Sequence, residues 1–145
     1  KSKKISKQIL SSREKRVINT TSDLVELLKP LTPFRYQKKF LAQIFQAIRI
    51  EVNNEIEVLK SFLEQATKSL KTGGRIVCIS YHSLEDRCVK RYIQFGNFEG
   101  KDEKDLYGNS LRVLRKIGKV VVPSEKEIII NKRARSAKMR IAEKI

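Results

Sequence analysis

The stretch Ser80-Tyr81-His82-Ser83-Leu84-Glu85-Asp86-Arg87 sets the chain's one histidine beside a serine and four residues ahead of an aspartate. These are the residue types of a hydrolase triad. The spacing excludes that chemistry, because neighbours entering a helix point about 100° apart and the Ser83 hydroxyl is not aligned on the His82 ring. Nor does a Gly-x-Ser-x-Gly elbow expose a nucleophile. The local pattern fits a helix start: Ser83 through Asp86 reads Ser-x-x-Asp before an apolar run, with Ser83 as cap and Asp86 returning the bond. Position adds to this, since residues 80–83 follow the apolar run RIVCIS and ligands of open α/β sheets bind beyond the carboxyl ends of strands. His82 is thus placed to face a site, against the plainer reading of a structural histidine.

A second cluster is NKRARSAKMR, five basic residues in ten. Arg133, Arg135 and Lys138 have the chemistry to grip phosphates; a solvated loop and a charge-protected edge strand are the bland alternative. Cys78 and Cys88 show neither a Cys-x-x-Cys spacing nor a histidine cluster. Reduced, buried thiols are expected rather than a disulfide or a metal site.

The whole chain shares the basic bias. With 32 Lys and Arg against 16 Asp and Glu its net charge is +16, carried as +9 over residues 1–49, −1 over 50–111 and +8 over 112–145. Such fields attract polyanions, nucleic acid first among them. A merely soluble Lys-rich surface is the alternative. No apolar run reaches the roughly 18 residues of a membrane span, and no signal-peptide pattern opens the chain, so the expected location is cytoplasmic.

These residues need elements to position them. Ile5, Ile9 and Leu10 suggest an opening helix, Thr20 to Ser22 and Pro30 bound a second over about 22–29, and Tyr36, Phe40, Ile44 and Ile48 mark a third. A stripe from Val52 through Leu70 predicts a long helix ended by Gly73 and Gly74. RIVCIS, apolar without alternation, predicts a parallel strand covered on both faces. Leu84, Cys88, Tyr92 and Phe95 mark the next helix. LRVLRKIGKVVV reads as strand, Ser124 and Glu127 open a short helix, and AKMRIA alternates as a last strand. Helix, glycine turn and buried strand make half of a βαβ unit.

Together FQAIRIEVNNE, GGR, HSLEDR and RARSAK closely resemble the carboxy-terminal half of the MraW/RsmH methyltransferases, over nearly the whole chain. That resemblance implies an α/β fold, part of a class I, Rossmann-like S-adenosylmethionine methyltransferase sheet preceded by part of an inserted helical domain. Residues 1–40 would belong to that substrate-recognition insert. Residues 41–145 would form the carboxy-terminal part of the methyltransferase domain, with RIVCIS as its fifth strand and the last two strands as its terminal hairpin. The implied reaction is methylation of the N4 amino group of a cytosine in 16S, small-subunit ribosomal RNA, with S-adenosylmethionine as donor. The family's cofactor loop, ribose-binding acid and first four strands would lie upstream of Lys1, so no cofactor contact transfers to this chain. Lys132 stands where the family usually has proline. His82, Ser83 and Asp86 are the implied pocket wall, and Arg87, Lys132, Arg133, Arg135 and Lys138 the implied grip on RNA.

Two other classes compete. For this polypeptide alone, a non-catalytic RNA-binding fragment follows from the missing cofactor loop. A DNA-binding helix-turn-helix protein would use the basic helices but is opposed by the parallel-strand signature. A fifth strand without its fourth leaves an apolar edge, and a homodimer through that edge is expected.

Overall fold

In the computed structural model, which describes residues 2–145, the chain divides into two units between Asn53 and Asn54. The first unit takes in the third helix. Asn54 makes the break, in a left-handed conformation at φ 52° that asparagine tolerates better than other side chains do.

The first unit holds α1 (Ser2–Arg13), α2 (Thr21–Leu28), two 3₁₀ turns (Lys29–Leu31, Phe34–Tyr36) and α3 (Gln37–Val52). The expected cap of α2 is present: Thr20 Oγ1 accepts from the Asp23 amide at 3.1 Å, and Asp23 Oδ2 accepts from the Thr20 amide at 2.9 Å. That capping box satisfies two amides that the first turn would leave open. Leu28, fully buried, anchors the helix at its far end.

The second unit runs α4 (Glu55–Ser69), β1 (Arg75–Ser80), α5 (Ser83–Phe95), β2 (Leu114–Val121), α6 (Glu125–Ile130), a 3₁₀ turn (Lys132–Ser136) and β3 (Lys138–Lys144). The α4 stripe opens at Glu55 rather than Val52, which ends α3 exposed to solvent. Nor do the glycines end α4, because Leu70 is already extended. Gly73, at φ 81°, instead turns the chain into the sheet, where its amide donates to Lys144 O and Lys144 N donates to Gly74 O, each at 2.9 Å. A left-handed turn of this kind suits glycine, which has no Cβ to clash.

The sheet order is β1-β3-β2, with β3 antiparallel to both neighbours. Arg75 pairs Glu143 and Ser80 pairs Lys138 across β1–β3, while Ile117 pairs Ile141 across β2–β3. A bulge follows Ile117, and Gly118 at φ 65° lies within it. On one face Ile76, Leu114 and Ala142 bury against Leu63 of α4 and Cys88, Val89, Tyr92 and Ile93 of α5. Positions 88, 89, 92 and 93 share one side of a helix of 3.6 residues per turn, and that is why α5 lies flat on the sheet. Tyr92 stacks on Phe98 at 4.9 Å.

β1 corrects the expectation of a strand covered on both faces. It alternates, with Ile76 and Ser80 buried while Val77 and Ile79 remain 55% and 59% exposed. Its apolar run has one covered face and one open one, and among the described residues only β3 pairs with it. On that open face Glu143 accepts from Arg75 at 3.1 Å and from Arg115 at 2.6 Å, linking all three strands. Both thiols are free, Cys88 buried and Cys78 half-buried, and burial pushes each above its ordinary range. No helix among the described residues is long and apolar enough to cross a membrane.

An edge strand with unpaired amides and exposed Val77 and Ile79 invites a further strand. The prediction is concentration-dependent self-association of this chain through β1, read by light scattering, and reduced by Val77→Lys. A wild-type chain that stays monomeric at several hundred micromolar contradicts it.

Candidate functional site

Ser80 ends β1 in the core, and the chain passes through Tyr81 and His82 into α5. His82, not Ser83, is the cap: its backbone is extended (φ −135°, ψ 160°), and its Nδ1 accepts from the Glu85 amide at 3.4 Å. Glu85 returns the bond, its Oε2 accepting from the amides of Tyr81 and His82 at 3.1 and 3.4 Å. The capping box therefore sits one residue earlier than Ser83 and Asp86 suggested. The physical reason is that Asp86 is held elsewhere.

Asp86, 8% exposed, turns inward to the middle strand. Arg140 Nε donates to its Oδ1 at 2.7 Å, Arg140 Nη2 donates to its Oδ2 at 3.2 Å, and Lys138 Nζ donates to Oδ2 at 3.3 Å. The guanidinium thus grips the carboxylate as a fork, the strongest common geometry for such a pair. Burial alone would raise the Asp86 pKa, but the hydrogen bonds and charges of Arg140 and Lys138 together outweigh it and hold the carboxyl below its ordinary range. Lys138, expected to hold RNA, reaches this carboxylate from a side chain that stays 45% exposed.

His82 is largely enclosed, its side chain 15% exposed. Its Nε2 lies 3.1 Å from Glu85 Oε1, within ion-pair reach, yet it is buried with no aligned hydrogen bond among the described residues. One ligand atom from each of Glu55, His82 and Glu85 lies within 4.8 Å of the others. Metal-bound histidines ordinarily donate the N–H of the other ring nitrogen to an acceptor. Here Nδ1 is itself an acceptor from Glu85, so a neutral ring carries its hydrogen on Nε2, aimed among carboxylates. The trio fits a proton-bridged polar cluster better than a ligand set. Ser83 is exposed, and its hydroxyl makes no hydrogen bond among the described residues.

The basic turn lies beside this strand end. A cleft of about 210 Å³ is lined by Ile79, Tyr81, Asn131, Ala134, Ala137 and Met139, among others. Asn131 Oδ1 caps the turn by accepting from the Arg133 amide at 3.1 Å, and Ala134 is buried as its foot. Lys132, Arg133 and Arg135 stand exposed around that foot, as Arg87 does on α5. The arrangement is a strand end with polar groups, flanked by cations that face solvent.

All 145 residues match the MraW methylase family. The chain belongs to this family. It is 56% identical over 141 residues to the ribosomal RNA small subunit methyltransferase H of Flavobacterium johnsoniae, covering 97% of this chain and 47% of the relative. The protein of the same name from Amoebophilus asiaticus is 53% identical over 141 residues (97% and 46%), and that from Christiangramia forsetii 55% over 142 residues (98% and 47%). The chain spans about half the length of these curated relatives.

A methyltransferase of this family implies S-adenosylmethionine as donor. A ribose diol needs a carboxylate with oxygens to offer, but Glu85 is committed to its cap and Asp86 to Arg140 and Lys138. Neither carboxylate of this strand end therefore fits the donor's ribose. Sequence reasoning missed Glu85 and Arg140. A signal for Arg140 existed, since alternation in β3 places it on the same face as Ala142, and a cation on a core face requires a partner.

Asp86→Asn is expected to lower stability by about 2–3 kcal/mol at neutral pH in urea unfolding, because it leaves Arg140 incompletely compensated. The sign in pH follows from the depressed folded pKa. The contribution is complete above the unfolded carboxylate value of about 3.9 and is lost as pH falls through the lower folded value. Wild-type stability should therefore fall more steeply than that of Asp86→Asn below about pH 4; parallel curves contradict the assignment.

Proposed function

We propose that this chain is the carboxy-terminal part of an enzyme that methylates the N4 amino group of a cytosine in 16S ribosomal RNA, with S-adenosylmethionine as donor. The observation that carries this reading is 56% identity over 141 residues to a small-subunit ribosomal RNA methyltransferase. The geometry supports it through the polar strand end of β1, His82 and Ser83, with Lys132, Arg133 and Arg135 exposed nearby.

Cytosine N4 is a poor nucleophile because its lone pair is delocalised into the ring. Catalysis must hold an unstacked base with N4 aligned for attack. In this reading the exposed Ser83 hydroxyl accepts from the amino group and favours its pyramidal form. His82 fixes the entry turn of α5, so that Ser83 is held at one height above the strand end. Asp86 acts one step back, by locking that turn to β3. The arginines and lysine of the basic turn, with Arg87, take the flanking phosphates. Donor binding is assigned to parts of the longer protein beyond these residues.

For the 145-residue chain alone, non-catalytic RNA binding is the second reading, favoured because Glu85 and Asp86 are already committed. Two measurements test the pair. In the longer protein, Ser83→Ala and His82→Ala should lower methyl transfer to small subunits by about 10- to 100-fold with RNA affinity retained. Unchanged turnover in both variants removes the proposed wall. Calorimetric titration of the 145-residue chain with S-adenosylmethionine should give no saturable heat, and clear binding would overturn the non-catalytic reading.

A further inference from the structure

A second basic feature lies away from the strand end, between α5 and the β2–β3 side of the sheet. This cleft, of about 300 Å³, is lined by Lys90, Arg112, Lys116, Lys119 and Arg140, with Ile93, Ile117, Val120 and Ile141 as apolar lining and no acidic residue. Gln94 completes it. Among the described residues Lys90, Arg112, Lys116 and Lys119 make no ion pair and no side-chain hydrogen bond. Arg140 uses Nε and Nη2 on Asp86 and leaves Nη1 uncommitted. Cations that line one cleft without a counter-charge repel one another. Nothing in the packing compensates them, so their natural complement is a polyanion.

The shape narrows the choice. Strand rise is about 3.3 Å per residue, so Lys116 and Lys119 lie up to about 10 Å apart along β2, while Arg112 precedes the strand and Lys90 comes from α5. One phosphate cannot meet all of them; a backbone carrying several can. The apolar lining suits the face of an unstacked base or a ribose, which a duplex keeps to itself. Arg140 ties the place to the reaction centre, since it lines this cleft and also holds Asp86 at the start of α5.

We propose that the cleft between α5 and β2 binds the phosphodiester backbone of single-stranded RNA, through Lys90, Arg112, Lys116 and Lys119. The inference rests on the reading of this chain as part of an RNA-modifying enzyme and adds a second grip to the basic turn. RNA entering there runs along α5 toward His82 and Ser83, so a target base and its neighbours are held at two separated places.

The test uses the full 145-residue chain and a fluorescein-labelled 12-nucleotide single-stranded RNA, titrated by anisotropy over a range of salt. Lys116→Ala/Lys119→Ala should weaken binding by at least about tenfold and reduce the salt slope by about 1.4, two contacts at about 0.7 each for a single strand. Lys68→Ala/Lys71→Ala removes equal charge from the end of α4 and should change affinity by less than about threefold. Thermal unfolding of both variants confirms that the fold is kept. If the wild type binds and the two double variants weaken it equally, the cleft is not a site, while the RNA reading stands. If the wild type shows no salt-dependent RNA affinity, both fall. Displacement of the RNA by equimolar cytidine monophosphate would overturn a backbone site in favour of a mononucleotide one.

Discussion

The carboxylate of Asp86 ties the first turn of α5 to the middle strand of the sheet. Arg140 closes on it as a fork at 2.7 and 3.2 Å, and Lys138 adds a third contact at 3.3 Å. A charge this enclosed is stable only with such partners. Its consequences spread outward. With Asp86 committed, the helix start falls to His82 and Glu85, and Ser83 is left facing solvent. Arg140, committed through two of its nitrogens to Asp86, also borders the basic cleft. A single ion pair therefore sets the height of the proposed base-facing wall and one border of the proposed RNA channel.

The sheet has two unlike faces, and this explains much of the surface. Leu63, Val89, Tyr92, Ile93, Leu114 and Ala142 close one side. The other keeps Val77 and Ile79 in the open, and there Glu143 links the strands through Arg75 and Arg115. Within the second unit Lys90, Lys116, Lys119 and the Lys132–Ser136 turn supply cations near the proposed RNA path, while residues 1–49 carry +9 of the chain's charge. Charge faces the proposed polyanion, and the open face keeps Val77 and Ile79 uncovered. Both features suit a chain that spans half the length of its relatives.

Much of this was legible before any coordinates. A cap among Thr20 to Ser22, the α5 stripe at Cys88 and Tyr92, and the alternation of β3 follow from period and cap chemistry that act within a few residues. The misreadings share a cause. RIVCIS reads as covered on both faces because composition does not say what lies over a strand; its edge is open as expected, and its second face is open as well. Ser83 looked like the cap because serine is a common one, whereas the choice between Ser83 and His82 is made by Arg140, 54 residues away from Asp86. The basic cleft was hidden for the same reason, since Lys90 and Lys116 become neighbours only when α5 lies across the sheet.

The claim on which the account turns is that Asp86 and Arg140 act as a coupled pair. A double-mutant cycle of Asp86→Asn and Arg140→Gln, followed by urea unfolding at neutral pH, measures that coupling directly. The account predicts an interaction free energy of about 2 kcal/mol or more, with the double variant little worse than either single one. Losses that add to within about 0.5 kcal/mol would show the pair to be independent and would contradict it.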